Sequence, residues 1–506
     1  SAKAFHITHR KIAEALSPYF EFSGTYFEKF EIAGPGFINF FLSPRFYAAV
    51  LQDIEALQDG YGRSDFGKGK KINVEFVSAN PTGPMHMGNA RGGALGDCLA
   101  AVLDAAGYQV SREFYINDAG NQIDKFALSL DIRYQQIFKG EEAVPMPEDC
   151  YQGADILERA QEFADLYGDS CLEKSQEERQ KALVDFALPK NIAKMQSDLK
   201  KYRIEYDTWF HESVLHNDGE IQDTLKILTE KGMTYELDGA LWYKATDFGA
   251  EKDEVLVRKN GNPTYFAADI AYHRNKFQRG FDRCIDIWGA DHHGHVARMK
   301  GAMNAVGLDG SKLDVVLMQL VKLVRNGEIV RMSKRTGKAI QLADLLDEVP
   351  VDAARFLFNM REANSQMEFD LDLAVQQDAQ NPVYYVQYAH ARICSILKAL
   401  EKDGVVKRAC SEEELLLLVQ PEELSLIRHL AAYTGEVVSA AKDYDPARIT
   451  RYVIDLPNMF HKFHNACRVK GEEDSLCQAR LTLCVAVKTV IHNVLTMFKI
   501  SAPESM

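Results

Sequence analysis

The sequence predicts an α/β protein, with a parallel-sheet domain in the middle of the chain and an all-helical region behind it. Three observations carry that reading. Ile72, Val74 and Phe76 alternate with Asn73 and Glu75, as a strand does. A Pro- and Gly-rich loop over 80–88 then leads into Leu95, Cys98, Leu99, Val102, Leu103 and Ala106 at helical spacing. Gly107 closes that helix, and a second strand runs near Val110 to Ile116. Strand, loop, helix and strand make a βαβ unit, which needs parallel neighbours. Towards the C-terminus, Ile449, Val453, Leu456, Phe460, Phe463 and Cys467, then Cys484, Val487, Ile491, Val494 and Phe498, recur at alternating intervals of three and four, the stripes of bundle helices.

The remaining elements follow in order. Residues 1–50 read as a helix and then short strands, with Phe27 to Phe40 broken by Gly34-Pro35-Gly36. Residues 51–70 read as helix ending in a linker. Residues 123–235 read as mostly helical and charge-rich, an insertion outside the sheet. A strand returns at Cys284 to Trp288. Another, read as continuous from Asp314 to Val324, runs into Asn326-Gly327, a hairpin signal. Strand signals stop at about 360.

At 506 residues the chain has room for two to four domains of roughly 100–200 residues each. Its 46% hydrophobic and 26% charged content excludes disorder, collagen and coiled coil. No run of about 18 apolar residues occurs, so no membrane partner is expected. A net charge of −14, from 59 basic and 73 acidic residues, argues against nucleic-acid binding over the whole surface but allows a local basic patch. Nine cysteines without a CxxC pair support neither a zinc ribbon nor a disulfide framework, and reduced thiols in a cytoplasmic protein fit them. Ser1 is not Met and the opening is not a signal peptide, so the chain is expected to begin partway into a longer protein or to carry an added start.

Four features carry chemistry. Asn80 to Asn89 (NPTGPMHMGN) lies between strand and helix, where parallel sheets bind ligands and a helix N-terminus offers free N–H groups to phosphate. Gly88 permits close approach, and His86 and Asn89 can donate to phosphate oxygens; the plainer alternative is a βα loop with a capping Asn. Met332-Ser333-Lys334-Arg335 follows the hairpin, where a Lys can meet growing phosphate charge or simply sit in a solvated turn. His292-His293-Gly294-His295, beside Asp291, invites a metal reading. No further Cys or His is spaced for zinc, so polar contact with nucleotide or substrate is expected and no structural metal. Lys442, Arg448, Arg451, Lys462, Arg468 and Lys470 cluster near the C-terminus, after Tyr384, Tyr388, His390 and Arg392. Exposed rings beside Arg stack on unpaired RNA bases, although composition alone favours an ordinary bundle surface.

Together, HxGN and MSKR, about 245 residues apart, resemble the HIGH and KMSKS signatures of class I aminoacyl-tRNA synthetases. The strings VEFVSANPTGP (74–84), INDAGNQ (116–122), TYFAADIAYH (264–273), WGADHHG (288–294), NPVYYVQYAHAR (381–392) and the closing SAPESM resemble the bacterial-type arginyl-tRNA synthetase, over nearly the whole chain. The resemblance implies a Rossmann-type catalytic domain over 66–355 with a helical insertion at about 123–235. It also implies a partial α+β, tRNA-contacting N-terminal domain over 1–65, its start missing, and an all-α anticodon-binding domain over 356–506. It implies activation of L-arginine by ATP with Mg²⁺, and transfer to the 3′-terminal adenosine of tRNA(Arg) by a monomer. His86, Asn89 and Lys334 would be catalytic, with Gly88, Met332 and Ser333 also at ATP. Glu75, Ser78, Ala79, Asn80, Asn89, Tyr265, Asp269 and His292 would form the arginine pocket, and Tyr384, Tyr388, Arg392, Arg448 and Arg451 would meet tRNA. Two positions depart from the signatures: Asn89 replaces the second His and Arg331 the first Lys. Two other readings stay open, a tRNA-binding protein of synthetase ancestry without catalysis and a nucleotidylyltransferase acting on a small metabolite.

Overall fold

The computed structural model describes residues 6–331 and 340–506. Helix α1 (His9–Leu16), capped by Thr8, packs on the antiparallel hairpin β1 (Phe27–Ala33) and β2 (Phe37–Leu42). Helix α2 (Pro44–Leu57) begins earlier than the sequence suggested and stops at Gln58, whose φ of 47° cannot continue a helix.

The central sheet comprises β3 (Lys71–Glu75), β4 (Gln109–Ile116), β5 (Thr208–His211), β9 (Arg283–Gly289) and β10 (Leu313–Met318), all parallel, in the order β10-β9-β3-β4-β5. Helix α3 (Gly88–Ala105) joins β3 to β4, and Leu95, Leu99 and Val102 bury with Ile72, Val74 and Phe114. The chain runs from β3 to one side and later returns to the other. The carboxyl end of β3 is therefore a topological switch point, where open α/β sheets form their ligand crevice.

Between β4 and β5, helices α4 (Asn121–Lys139), α5 (Ala154–Tyr167) and α6 (Gln176–Lys201) share a separate core of Phe126, Leu130, Tyr134, Phe163 and Leu183. The stretch read as a helical insertion therefore also contains a strand of the main sheet. Only tertiary pairing defines β5: Trp209 lies opposite Phe114 and their rings stack at 4.5 Å. Next come α7 (Glu212–Asn217), α8 (Glu220–Glu230), the antiparallel strands β6 (Thr234–Leu237), β7 (Ala240–Tyr243) and β8 (Glu254–Val257), and α9 (Tyr265–Gln278). Helix α10 (His293–Val306) follows β9.

The strand read from Asp314 to Val324 is broken at Gln319-Leu320, and the chain leaves the main sheet there. Strand β11 (Val321–Arg325) instead pairs antiparallel with β12 (Glu328–Val330) and parallel with β13 (Met367–Asp370), a strand beyond the point where strand signals ended. Asn326 and Gly327 connect β11 to β12 with φ of 51° and 75°, as the Asn-Gly pair predicted. Helices α11 (Leu342–Glu348) and α12 (Val351–Phe358) precede β13.

The C-terminal bundle contains α13 (Pro382–Lys402), α14 (Pro421–Asp443), α15 (Ala447–Ala466) and α16 (Asp474–Met497). By length and composition α16 alone among the described helices could cross a membrane, but 72% of its most apolar window is buried in the bundle core. The bundle is tied to α3 through Asp97, which receives Arg112 (3.0 Å), Lys499 (3.0 Å) and the fully buried Arg355 (2.5 Å).

Candidate active site

Beyond β3 the chain turns sharply. The Ser78 N–H donates to the Phe76 carbonyl (3.1 Å) across Val77, whose φ is 72°. This is a γ-turn of the strained, positive-φ kind, an outlier for a β-branched residue. Three side-chain contacts hold it. The Ser78 hydroxyl donates to Glu75 Oε1 (2.8 Å) and accepts from the Tyr115 N–H (3.2 Å), and the Tyr206 hydroxyl donates to the Phe76 carbonyl (3.0 Å).

The loop that follows walls a cleft of about 570 Å³ with Ser78, Ala79, Asn80, His86 and Asn89, and Gln122 and Tyr151 face them. The His86 imidazole is exposed. Asn89 accepts the His86 N–H through Oδ1 (3.0 Å), which leaves its amide NH₂ free to donate. A Cβ on Gly88 would meet open space. The chain beyond the second signature lies against this loop: the Met87 N–H donates to the Ile340 carbonyl (3.0 Å), and the Leu342 N–H to the Met85 carbonyl (2.9 Å). Met332, Ser333 and Lys334 lie outside the described residues; Arg331, just before them, is exposed.

Beneath the cleft lies a layer of buried charge. Lys276 of α9, fully buried, donates to Asp286 Oδ1 of β9 (2.7 Å) and to Glu75 Oε2. His273 donates through Nδ1 to the Asp269 carbonyl (2.8 Å) and through Nε2 to Asp286 Oδ2 (2.7 Å). Both nitrogens face acceptors only, so the ring carries two protons. Burial opposes that charge, but Asp286 raises the His273 pKa above its ordinary value. Asp286 in turn, despite burial, is held down to about 2 by Lys276 and His273. Burial pushes the Glu75 carboxyl upward against the pull of Lys276. Glu113 of β4 takes a bidentate Arg279 (2.7 Å for each bond), with Tyr272 (2.6 Å) and Asn73 (2.9 Å).

Glu75 thus has both oxygens occupied, by Lys276 and Ser78. Asp269, on the same face of α9, is 37% exposed, and His295 Nε2 lies 3.4 Å from its carboxylate. Tyr265, one turn earlier, is half exposed and touches Gln122 of the cleft. Of the clustered histidines it is His295 that meets Asp269; His292 is 62% exposed beside Asp291. Glu212, at the start of α7 and near Asp269 and Tyr265, was not singled out in the sequence. It is buried, accepts from the Tyr115 hydroxyl (2.8 Å), faces His216 (3.3 Å), and is pushed upward in pKa by burial and, less strongly, by the charge of nearby Asp269.

On the bundle, Tyr384, Tyr388 and Arg392 share α13 with Tyr385, which stacks on His461 of α15 and donates to Asn458 (2.8 Å). Burial, then the Arg392 charge, lowers the pKa of His461 and of His464. Arg448 and Arg451 lie elsewhere, at the opposite end of α15, roughly 20 Å away at 1.5 Å per residue. Each is already paired: Arg448 with Glu436 (3.3 Å) and Asp443 (3.5 Å), Arg451 with Asp445 (2.8 Å).

Comparison with known proteins matches three family profiles along the chain. Residues 1–42 match the arginyl tRNA synthetase N-terminal domain, 52–396 the catalytic domain of class I (R) tRNA synthetases, and 386–506 the DALR anticodon-binding domain. The arginine–tRNA ligase of Caldanaerobacter subterraneus subsp. tengcongensis is 58% identical over 506 residues, 100% of this chain and 90% of that protein. That of Ruminiclostridium cellulolyticum is 56% identical, with 100% and 90% covered. A Campylobacter jejuni chain solved as an arginyl-tRNA synthetase superposes with a TM-score of 0.83 at 32% identity, over 92% of this chain and 100% of its own. The Thermus thermophilus arginyl-tRNA synthetase, at 22% identity and a TM-score of 0.78 over 100% and 93%, shares the fold.

Proposed function

This chain belongs to the arginyl-tRNA synthetase family and joins arginine to tRNA using ATP, and from that premise we propose which of its groups do the work. The reaction has two steps. The arginine carboxylate attacks the α-phosphorus of ATP and pyrophosphate leaves. The arginyl group then passes from the adenylate to the 2′-hydroxyl of the terminal adenosine of tRNA(Arg), the acyl–phosphate bond breaks and AMP leaves. Negative charge builds on the phosphates, so catalysis rests on positioning and electrostatics. His86 and the free amide NH₂ of Asn89 donate to the phosphates, and the open face at Gly88 admits them. Lys334, assigned by its signature alone, adds a positive charge at the phosphates, with Met332 and Ser333 of the same signature also at ATP. Mg²⁺ enters with ATP.

Asp269 takes the guanidinium, with Tyr265 beside it and Glu212 behind. One observation supports this most: Asp269 is 37% exposed and has no Lys or Arg partner among the described residues, whereas Glu75, Asp286 and Glu113 are all committed to protein cations. Glu75, Ser78, Ala79 and Asn80 then act as wall and floor rather than as the guanidinium's partner. Lysine has the same charge but no planar fork and leaves such a carboxylate partly unpaired. On the bundle, Tyr384, Tyr388 and Arg392 form the tRNA-contacting face, with Tyr385, His461 and His464. The protein works in the cytoplasm as a monomer, and its free, mostly buried thiols accord with a reducing compartment.

The test is a charging assay with each of the twenty amino acids, beside arginine-dependent ATP–pyrophosphate exchange with tRNA present. Arginine alone should be charged, and Lys334→Ala should lower exchange by roughly tenfold to a thousandfold with arginine binding intact. A protein that binds tRNA and charges nothing would instead be a binding module.

A further inference from the structure

Arg91 stands two residues beyond Asn89 in α3, with its guanidinium buried. It donates to three backbone carbonyls, Gln319 (2.7 Å), Ser365 (3.0 Å) and Glu362 (2.8 Å). Gln319 lies in the crossover from β10 to β11, and Glu362 and Ser365 lie in the segment from α12 to β13. Strands β11 and β13 pair with each other, and β11 turns into β12. No carboxylate meets Arg91 among the described residues, and residues 1–5 and 332–339 contain no Asp or Glu. Burial lowers its pKa to about 10.

A buried cation without a counter-ion is unfavourable, so its retention calls for a reason. Geometry supplies one. A planar fork reaches three fixed carbonyls on two different segments, whereas a compact ammonium presents its donors from one point. On the far side of the hairpin, Met85 and Met87 pair with Leu342 and Ile340. The β11–β12 hairpin is thus anchored to the signature helix by Arg91 where it enters, and the βα signature loop is bonded by main chain to Ile340 and Leu342, further along the chain.

We propose that Arg91 is a positioning residue for arginine activation, setting the distance between the helix that carries Asn89 and the hairpin that leads to the second signature. This rests on the reading above, in which both signatures act at the phosphates. The misplacement it prevents is of the kind that, at about 1 Å, slows catalysis by roughly a hundredfold.

The test uses the full chain, tRNA and saturating arginine. Arg91→Lys should lower the kcat of arginine-dependent ATP–pyrophosphate exchange by roughly tenfold to a hundredfold, with the arginine KM within about twofold. If the effect travels through the hairpin, the same change made in Lys334→Ala should lower kcat by less than about threefold, a non-additivity that general loosening would not produce. Arg91→Gln, which removes the buried charge and keeps N–H donors, is the second variant should Arg91→Lys fail to fold, and the same results are expected of it. A parent-like kcat, or a loss that multiplies in full onto Lys334→Ala, overturns the proposal. Absence of exchange in the parent would overturn the functional reading instead. A Lys334→Ala variant at parental rate would overturn the role of Lys334 and leave the kcat of the Arg91 variants to decide this one.

Discussion

Under β3 the carboxylates of Glu75, Asp286 and Glu113 are buried against Lys276, His273 and Arg279, whereas on α13 and α15 the charged groups stand at the surface beside aromatic rings. On the reading proposed above, the contrast follows from the size of what each region reads. A single guanidinium is recognised by a carboxylate in a low-dielectric pocket, and that pocket stays rigid only if every other charge near it is already matched. A polyanion is read over a long surface, where exposed arginines and flat rings act without being desolvated beforehand. On that reading, buried charge serves precision in the sheet and exposed charge serves reach in the bundle.

The largest break in this contrast should come from Lys276→Met. It leaves Glu75 and Asp286 buried without their shared cation, and loss of one partner of such a pair destabilises by about 3–5 kcal/mol. Chemical denaturation with parent and variant side by side measures it; a loss below about 1 kcal/mol would mean that the layer is not held by charge pairing. Asp269→Asn should come next. The fold keeps its paired floor, the arginine KM rises on the order of a hundredfold and tRNA affinity is unchanged. An arginine KM within about twofold of the parent in steady-state arginylation would remove Asp269 from the guanidinium and direct attention to Glu212.

Titration sharpens the same contrast. Asp286 is held near a pKa of about 2 from an ordinary 3.8. A depressed carboxylate contributes stability above its unfolded pKa and loses it as pH falls. Denaturation midpoints should therefore drop between about pH 4 and pH 2, by on the order of 2 kcal/mol from this group, and less in Asp286→Asn. His273 has the opposite sign. Its raised pKa contributes stability fully below about 6.5, and that contribution fades as pH rises through the folded value. The smallest effects belong to the bundle. Arg392→Ala should weaken tRNA binding by roughly tenfold in a filter titration without moving the arginine KM. Arg448→Ala, whose partner carboxylates already neutralise it, should change tRNA binding by less than about threefold. Equal losses from the two would place Arg448 back on the tRNA surface.

The sheet's centre was legible because β3, α3 and β4 each carry their own periodicity, and the hairpin because Asn-Gly is a local signal. Strand β5 was not: its four residues are all half buried, so no alternation marks them, and its pairing with β4 is decided 95 residues away in sequence, where Arg112 meets Asp207. The break at Gln319-Leu320 is equally silent, since apolar residues continue on both sides while the chain changes sheets. Among the candidate site residues, Asp269 and Tyr265 were singled out through a long matched string. Glu212, Lys276 and Arg91 were not, because a lone charged residue looks the same in sequence whether it ends in water or is buried against a partner two hundred residues away. The histidine run did not show which of its members faces Asp269; the turn before α10 brings His295 there.

Val77 has a consequence of another kind. A β-branched residue at φ 72° stores on the order of 1–3 kcal/mol that a glycine would release. The loop is thus a set spring, latched by the Ser78 hydroxyl on Glu75 and by the Tyr206 hydroxyl on the Phe76 carbonyl. Cutting a latch, as in Ser78→Ala, should do more than delete one hydrogen bond. The chain would recoil towards extended backbone and carry His86 and Asn89 with it. Val77→Gly should do the reverse, easing the fold while leaving the same two residues slack, so that at this position resistance to heat and speed of turnover pull in opposite directions.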